Sequence, residues 1–354
     1  MTPKNINQST SLKHPDFMDY ARSHGFGELH IKIDKKTGMQ AIVAIHSTKY
    51  GPALGGCRFI EYPNTESAIH DAMRLAIGMS SKTALANLPL GGGKGVIIKP
   101  SGPYDREAYL REYGKFIDNL GGQYITALDS GTQLEDMDII AQHTSYVASR
   151  TSHGDPSPAT AIGTLRGIEA AVMFKLKIPS VRGLHVAIQG LGHVGYRLAE
   201  HLHLAGAKLT VADVNTNLVE RAVKAFNALP TSPADIHAVS CDVFAPCALG
   251  GVINDTTINQ LRTSIVAGAA NNQLEHTYHG QQLHEKGILY APDYVINAGG
   301  VIFAASKYLK TSEEQMNLQL NSIGNRLLEI FERSAIENKP TSMISDTIAQ
   351  ELLA

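Results

Sequence analysis

Lys94 stands in the run Leu88-Pro89-Leu90-Gly91-Gly92-Gly93-Lys94-Gly95-Val96, where small residues leave a single long cationic side chain to act. A phosphate loop of the form G-x-x-x-x-G-K-[ST] does not fit. It needs Gly at position 88 and Ser or Thr at 95, where this chain has Leu88 and Gly95. Taken alone, the run reads as a glycine-rich turn with a solvated lysine. Two other residues change that reading. Lys82 lies twelve positions upstream, and of two lysines held close together, one can hold a carboxylate. The other, desolvated and beside a like charge, loses proton affinity and can act as a general acid or base near neutral pH. Asp129 closes an apolar run, Tyr124 to Leu128, at the edge of a loop, where an acid can shuttle protons to a ligand in a cleft. A helix N-cap is the competing role for Asp129.

A second constellation lies about a hundred residues downstream. Gly190-Leu191-Gly192-His193-Val194-Gly195 follows the apolar run Val186-Ala187-Ile188 and opens a helical pattern. In a strand-to-helix turn, such glycines supply a tight turn, close approach to a pyrophosphate and close helix packing, with the helix N-terminus facing the anion. Asp213 ends the next strand pattern, where a carboxylate accepts hydrogen bonds from ribose hydroxyls. It would repel a 2′-phosphate and no Arg immediately follows it, which favours NAD over NADP. A hydride-accepting cofactor beside paired lysines and a strand-end acid points to oxidation of a small acid carrying an amine or hydroxyl.

These residues need two α/β units to position them. The chain has 354 residues, 43% hydrophobic, enough for two buried cores. In the first unit, a helix is expected over Pro15 to His24 and a strand over Glu28 to Asp34. A turn at Lys35 to Gly38 leads to a strand over Met39 to Ile45. Gly51 to Arg58 is expected as a rigid loop, and Asn64 as the cap of a helix with the apolar stripe Ala68, Ala72, Met73, Ala76 and Met79. Lys82 falls at or just beyond the end of that helix. A Gly-Gly-Gly-Lys loop, a short strand over Val96 to Ile98, a helix near Asp105 to Leu120, the strand ending at Asp129 and a helix opened by Ser130 to Thr132 follow.

Ser152 to Pro158 is the candidate hinge. Beyond it, strands at His185–Gln189 and Lys208–Asp213 alternate with helices ending near Phe174, Ala205 and Leu229. Apolar runs recur at 243–245, 265–267, 288–290 and 295–296, the signature of a doubly wound parallel sheet. Helices near Glu313 to Glu337 and Ile344 to Leu353 close the chain. The expected division is a substrate-binding and catalytic domain over 1–150, joined by a C-terminal helix at about 335–354, and a Rossmann NAD-binding domain over 151–334.

Other signals are weaker. The net charge of −2 gives no field for nucleic acid or an anionic membrane. No apolar leader or 18-residue apolar run occurs, and the polar lead-in from Met1 to Leu12 is expected to fray. Cys57, Cys241 and Cys247 read as free buried thiols of a reducing cytoplasm. His276, His279 and His284 lack partnering ligands and read as a solvated helix face rather than a metal site, with His201 and His203 near a helix surface. Asn271, Asn272 and Asn297 are expected at the ends of later strands, where amides orient a nicotinamide or a substrate in open α/β sheets.

The chain resembles the glutamate/leucine/phenylalanine/valine dehydrogenase superfamily, nearest its leucine branch. The resemblance covers most of the chain. It rests on Ala44-Ile45-His46, Gly51 to Arg58, Leu88 to Lys94, Ser157 to Ala161, the Gly190 fingerprint, Ala267 to Asn272 and Tyr290 to Gly300. It implies NAD-dependent, reversible oxidative deamination of an apolar L-amino acid, a substrate domain followed by an NAD domain, and a homo-oligomer. By the same resemblance Lys82 holds the α-carboxylate, Lys94 activates water, Asp129 transfers protons and Thr160 contacts the nicotinamide amide. The side-chain pocket falls on Leu54, Gly55, Ala127, Val301 and Ala304, with Asn297 beside the substrate.

Glutamate-specific relatives carry a lysine at the position of Leu54, so a side-chain carboxylate would be desolvated and unpaired here. Ala304 is smaller than the valine expected of typical leucine enzymes, which keeps a phenylalanine- or tryptophan-preferring enzyme as an alternative. A non-catalytic NAD-binding regulator is the other alternative, and the joint presence of Lys82, Lys94 and Asp129 argues against it.

Overall fold

The protein, described from a computed structural model, is resolved into elements over residues 16–354. The lead-in from Met1 to Leu12 and the expected helix start at Pro15 lie outside the described residues. Helix α1 (Phe17–Ser23) begins at Asp16, whose carboxylate accepts from Met18 N at 2.9 Å. Strands β1 (Glu28–Ile33) and β2 (Gln40–Ser47) form an antiparallel hairpin. Its turn is tied by Asp34, which accepts from both the Thr37 amide and hydroxyl, and by Gly38 at φ +82°.

Next come β3 (Ala53–Ile60), α2 (Thr65–Leu85), β4 (Gly91–Ile98), α3 (Arg106–Asn119), β5 (Tyr124–Leu128) and α4 (Leu134–Ile140). The strands make one mixed sheet in the order β1-β2-β4-β3-β5, with β4, β3 and β5 mutually parallel. Asn64 caps α2 as expected, accepting from Ser67 N at 2.8 Å. Lys82 lies within the last turn of α2 rather than past it.

Two stretches expected as loops are the central strands of this sheet. Gly51 to Arg58 runs mostly in β3, and the Gly-Gly-Gly-Lys run opens β4. The glycines signalled a turn, yet none of Gly91, Gly92, Gly93 and Gly95 has a positive φ. They serve close layering instead. A Cβ on Gly55 would lie 1.8 Å from Gly93 O, one on Gly92 would lie 2.0 Å from Ser80 N of α2, and one on Gly95 would lie 2.0 Å from the Tyr113 hydroxyl of α3. Burial on both faces outweighs the strand-weakening effect of glycine. Helix α2 covers one face through Ala68, Ala72, Met73 and Ala76 against Ile42, Ala44 and Val96. Helices α3 and α4 cover the other, with Leu110, Tyr113 and Ile140 against Val43, Cys57 and Ile97.

After a short 3₁₀ turn at Thr151–His153 and Gly154 at φ +83°, the second unit begins. It contains α5 (Ser157–Leu176), β6 (His185–Gln189), α6 (His193–Leu204), β7 (Lys208–Ala212), α7 (Thr216–Phe226), β8 (Leu229–Pro230), β9 (Val243–Pro246), β10 (Ile265–Val266), α8 (Tyr278–Glu285) and β11 (Leu289–Tyr290). All six strands are parallel, in the order β11-β10-β9-β6-β7-β8. Strand order reverses beside β6, so a crevice opens at its carboxyl end. Helices α9 (Asp293–Ile296), α10 (Gly299–Leu309), α11 (Glu313–Glu337) and α12 (Thr341–Leu353) complete the chain.

Several elements differ from expectation. The helix expected to reach Leu229 stops at Phe226, because Asn227 turns left-handed at φ 52° and releases the chain into edge strand β8. Val295 and Ile296, expected among the strand runs, lie in α9, which starts directly after Pro292. Asn297 therefore follows a helix rather than a strand. Helix α10 begins at a glycine pair that hides it from periodicity; a Cβ on Gly299 would lie 2.2 Å from Ala159 O of α5. His279 is fully buried rather than solvated, with its Nδ1 accepting from His276 N at 3.0 Å and its Nε2 3.1 Å from the Asp255 carboxylate.

The C-terminal helices return to the first sheet. α12 packs on α2, the Tyr50 hydroxyl donates to Leu352 O at 2.6 Å, and Arg326 Nε donates to Leu85 O at 3.1 Å. One apolar cluster thereby joins Leu54, Leu90, Ile125 and Ala127 to Ala159, Ile296, Ile302 and Ile344.

Candidate active site

Side chains alternate between the faces of a strand, so register decides which of them can meet. The offset that pairs Leu54 with Gly92 and Cys57 with Gly95 sets Gly56 of β3 beside Lys94 of β4, and Gly56 pairs with Ala127 of β5. Two residues along, Arg58 and Asp129 share that face. Lys94 is 6% exposed, and its Nζ contacts Asp129 Oδ2 directly. Gly56 makes this possible: a Cβ there would lie 2.6 Å from the Asp129 Cβ and 2.8 Å from Leu128 O. Burial pushes the Asp129 carboxyl up, but the Lys94 ammonium, the Ser130 amide and Arg58 together hold it below the usual carboxylate range.

Lys82 reaches the same space from α2, where Ser80 packs on Gly92. Desolvation lowers its pKa to about 8; Lys94 adds to the fall, while Asp293 and Asp129 oppose it. Sequence reasoning placed Lys82, Lys94 and Asp129 in one site, and the structure brings them within mutual electrostatic reach. The apolar side of the site is formed by Leu54, 1% exposed, and Ala127, with Val301 and Ala304 of α10 packed against the same cluster. Gly55 is buried in β3, its α-carbon facing β4.

Arg58 and Asp71 were not singled out from the sequence. Arg58 donates from Nη1 to Asp71 Oδ2 at 2.7 Å, and its Nε lies 3.5 Å from Asp129 Oδ2. Tyr62 also donates to Asp71, at 2.8 Å. The signal available was the alternation Leu54, Gly56, Arg58, which a loop assignment concealed.

At the second sheet, each fingerprint glycine has a distinct geometry. Gly190 turns at φ +95°, Gly192 has nothing within 4 Å of its Cβ position, and a Cβ on Gly195 would lie 2.0 Å from Gly190 O. Turn, open approach and close packing are the three features that a pyrophosphate at a helix N-terminus requires. His193 and Val194 start α6, and Leu191 buries its side chain in the core. Asp213 follows β7, its Oδ2 accepting from Leu191 N at 2.6 Å and its Oδ1 from Asn215 N at 2.8 Å. The residue expected to meet a ribose thus also braces the glycine loop.

Thr160 lies in the first turn of α5, against Gly300 at the start of α10. Asn297 is 6% exposed; its Nδ2 donates to Asn271 Oδ1 at 2.7 Å and to Ala269 O at 3.2 Å. Its Oδ1 is buried with no hydrogen-bond partner among the described residues. The Asn272 amide donates to Asp293. Asp293 is the acid whose charge Lys82 senses, so this amide cluster of the second unit faces the lysines of the first.

Residues 26–146 match the model of the Glu/Leu/Phe/Val dehydrogenase dimerisation domain, and residues 211–348 match that of Glutamate/Leucine/Phenylalanine/Valine dehydrogenase. Leucine dehydrogenase of Geobacillus stearothermophilus is 46% identical over 340 residues, which cover 95% of this chain and 93% of the relative. Leucine dehydrogenase of Thermoactinomyces intermedius is 47% identical over 337 residues, covering 94% and 92%. The crystal structure of L-tryptophan dehydrogenase from Nostoc punctiforme superposes with a TM-score of 0.88 at 41% identity, covering 95% of this chain and 98% of that one. Two α/β units, a glycine-turned crevice on one and a lysine–aspartate pair on the other agree with these matches: the chain belongs to the Glu/Leu/Phe/Val dehydrogenase family of NAD(P)-dependent amino acid dehydrogenases.

Proposed function

We propose that this enzyme catalyses the reversible, NAD-dependent oxidative deamination of an apolar, branched-chain L-amino acid such as leucine. The products are the 2-oxo acid, ammonia and NADH. The observation that carries the reading is the Lys94–Asp129 pair, seated over Gly56 and flanked by the apolar Leu54 and Ala127. In this reading the region 1–150, with the helix at about 335–354, holds the substrate, and 151–334 holds the dinucleotide.

Lys82 binds the α-carboxylate, and the orphan Oδ1 of Asn297 accepts a hydrogen bond from the substrate. Thr160, the loop from Gly190 to Gly195, Asp213, Asn271 and Asn272 would hold NAD, which would supply the acceptor for the hydride leaving Cα. Lys94, as the neutral amine, then takes a proton from the water that adds to the iminium carbon. Asp129, ionised at the outset, takes the proton that the substrate ammonium sheds before hydride loss and returns it to the departing nitrogen. An uncompensated side-chain carboxylate against Leu54 and Ala127 would have no counter-charge, which disfavours glutamate.

The preference for NAD rests on Asp213, and a homo-oligomer is supported by the exposed Ile31 and Ile33 on edge strand β1. Cytoplasmic residence is supported by the unpaired cysteines. A phenylalanine- or tryptophan-preferring enzyme is the second reading, favoured by the small Ala304 in the pocket wall. The test is NADH formation across a panel of L-amino acids with NAD and with NADP. Rates highest for leucine, valine or isoleucine support the main reading, and rates highest for aromatic substrates the second. Dinucleotide binding without turnover of any apolar amino acid would overturn both.

A further inference from the structure

We infer that Arg58 is a positioning residue for the proton-transfer pair, a guanidinium shared between Asp71 and Asp129 that fixes the Asp129 carboxylate toward Lys94 and keeps it ionised. The inference rests on the proposed role of Asp129. Its basis is geometric. Arg58 follows Gly56 by two residues on β3, so its side chain leaves the sheet on the face that carries Lys94 and Asp129. Nη1 is committed to Asp71 Oδ2 at 2.7 Å, and Asp71 is itself held by the Tyr62 hydroxyl at 2.8 Å and Arg74 at 2.9 Å. That anchoring on α2 leaves Nε 3.5 Å from Asp129 Oδ2, buried and without a hydrogen-bond partner among the described residues. A small closing movement would complete that bond.

The groups facing Asp129 are Lys94 from β4, Arg58 from β3 and Lys82 from α2, with Asp71 behind Arg58; the Cys57 thiol of β3 and the Tyr124 phenol of β5 lie on the opposite face of the sheet, within electrostatic reach. Removing Arg58 deletes one of the cations and leaves Asp71 less neutralised. Both changes favour protonated Asp129. Arg58 itself gains and loses no proton: burial works against its charge, and Asp129 and Asp71 more than restore it.

The experiment is the pH profile of kcat/KM for L-leucine oxidation in wild type, Arg58→Gln and Arg58→Lys, with folding checked by circular dichroism and NAD binding. The acid limb, where Asp129 must be ionised to accept a proton, is expected to move up by about one pH unit in Arg58→Gln and to return toward wild type in Arg58→Lys. In parallel, the Asp129 carboxyl is titrated by ¹³C NMR, assigned through its loss in Asp129→Asn. That titration needs no turnover, so it distinguishes failure of the inference from failure of the proposed reaction. An unmoved Asp129 titration in Arg58→Gln overturns the inference, as does a rate loss uniform across pH in a folded variant. Should Arg58→Gln fail to fold, the same titration in Arg58→Lys and Asp71→Asn decides it: Asp71→Asn releases Arg58 to Asp129 and is expected to move the titration down.

Discussion

Lys94 on β4 contacts Asp129 at the end of β5 across the bare backbone of Gly56 on the strand between them. One strand separates the partners, and only a residue without a side chain on it lets them meet. Gly56→Ala places a Cβ 2.6 Å from the Asp129 Cβ, so Asp129 must move. A displacement of about 1 Å at a reacting group costs on the order of a hundredfold in rate. The expected outcome is that loss in kcat/KM with unchanged NAD affinity; steady-state kinetics with fluorescence titration of the dinucleotide checks it.

Lys94→Ala and Asp129→Asn test the pair itself. Each is expected to lower kcat by roughly a thousandfold, within the range for general acid–base groups. NAD affinity is expected to stay near wild type, because the fingerprint lies on the other sheet. A near-normal rate in Lys94→Ala would show that the lysine has been assigned the wrong task.

Binding of the 2-oxo acid is expected to weaken as pH rises through about 8, the value to which desolvation draws Lys82. The sign follows from charge. Below that pH Lys82 is an ammonium that attracts the α-carboxylate, and above it Lys82 is a neutral amine. Affinity measured by calorimetry with the NADH-loaded enzyme should fall toward tenfold per unit on the alkaline side. Lys82→Met should bind weakly with no such limb.

The fingerprint glycines should separate binding from stability. Gly192→Ala has open space and is expected to melt like wild type while losing NAD affinity. Gly195→Ala meets Gly190 O at 2.0 Å and is expected to lose about 1–3 kcal/mol of stability. Thermal melts with and without NAD distinguish the two.

Asp213→Asn retains an acceptor for Leu191 N and removes the charge. Its NADP/NAD efficiency ratio is expected to rise by about tenfold, equivalent to about 1.4 kcal/mol of relieved repulsion. An unchanged ratio in a folded variant would remove Asp213 from cofactor choice.

The sequence by itself determined the elements whose signals are local. The amphipathic stripe and Asn64 cap of α2, the strand–glycine–helix fingerprint at Gly190 and the strand ending at Asp129 were all legible, because periodicity and capping act within a few residues. The candidate residues Lys82, Lys94 and Asp129 were legible as chemical types. Tertiary structure alone decided how they meet. Gly91 to Gly95 and Gly51 to Arg58 looked like loops because glycine signals flexibility locally. Their need for glycine lies in atoms distant in sequence: Ser80 against Gly92, Gly93 against Gly55 and Asp129 against Gly56. His279 looked solvated for the same reason, since its Asp255 partner is not on its helix. Whether a small residue turns the chain or makes room for a neighbour depends on which strand lies alongside, and register across the sheet fixes that.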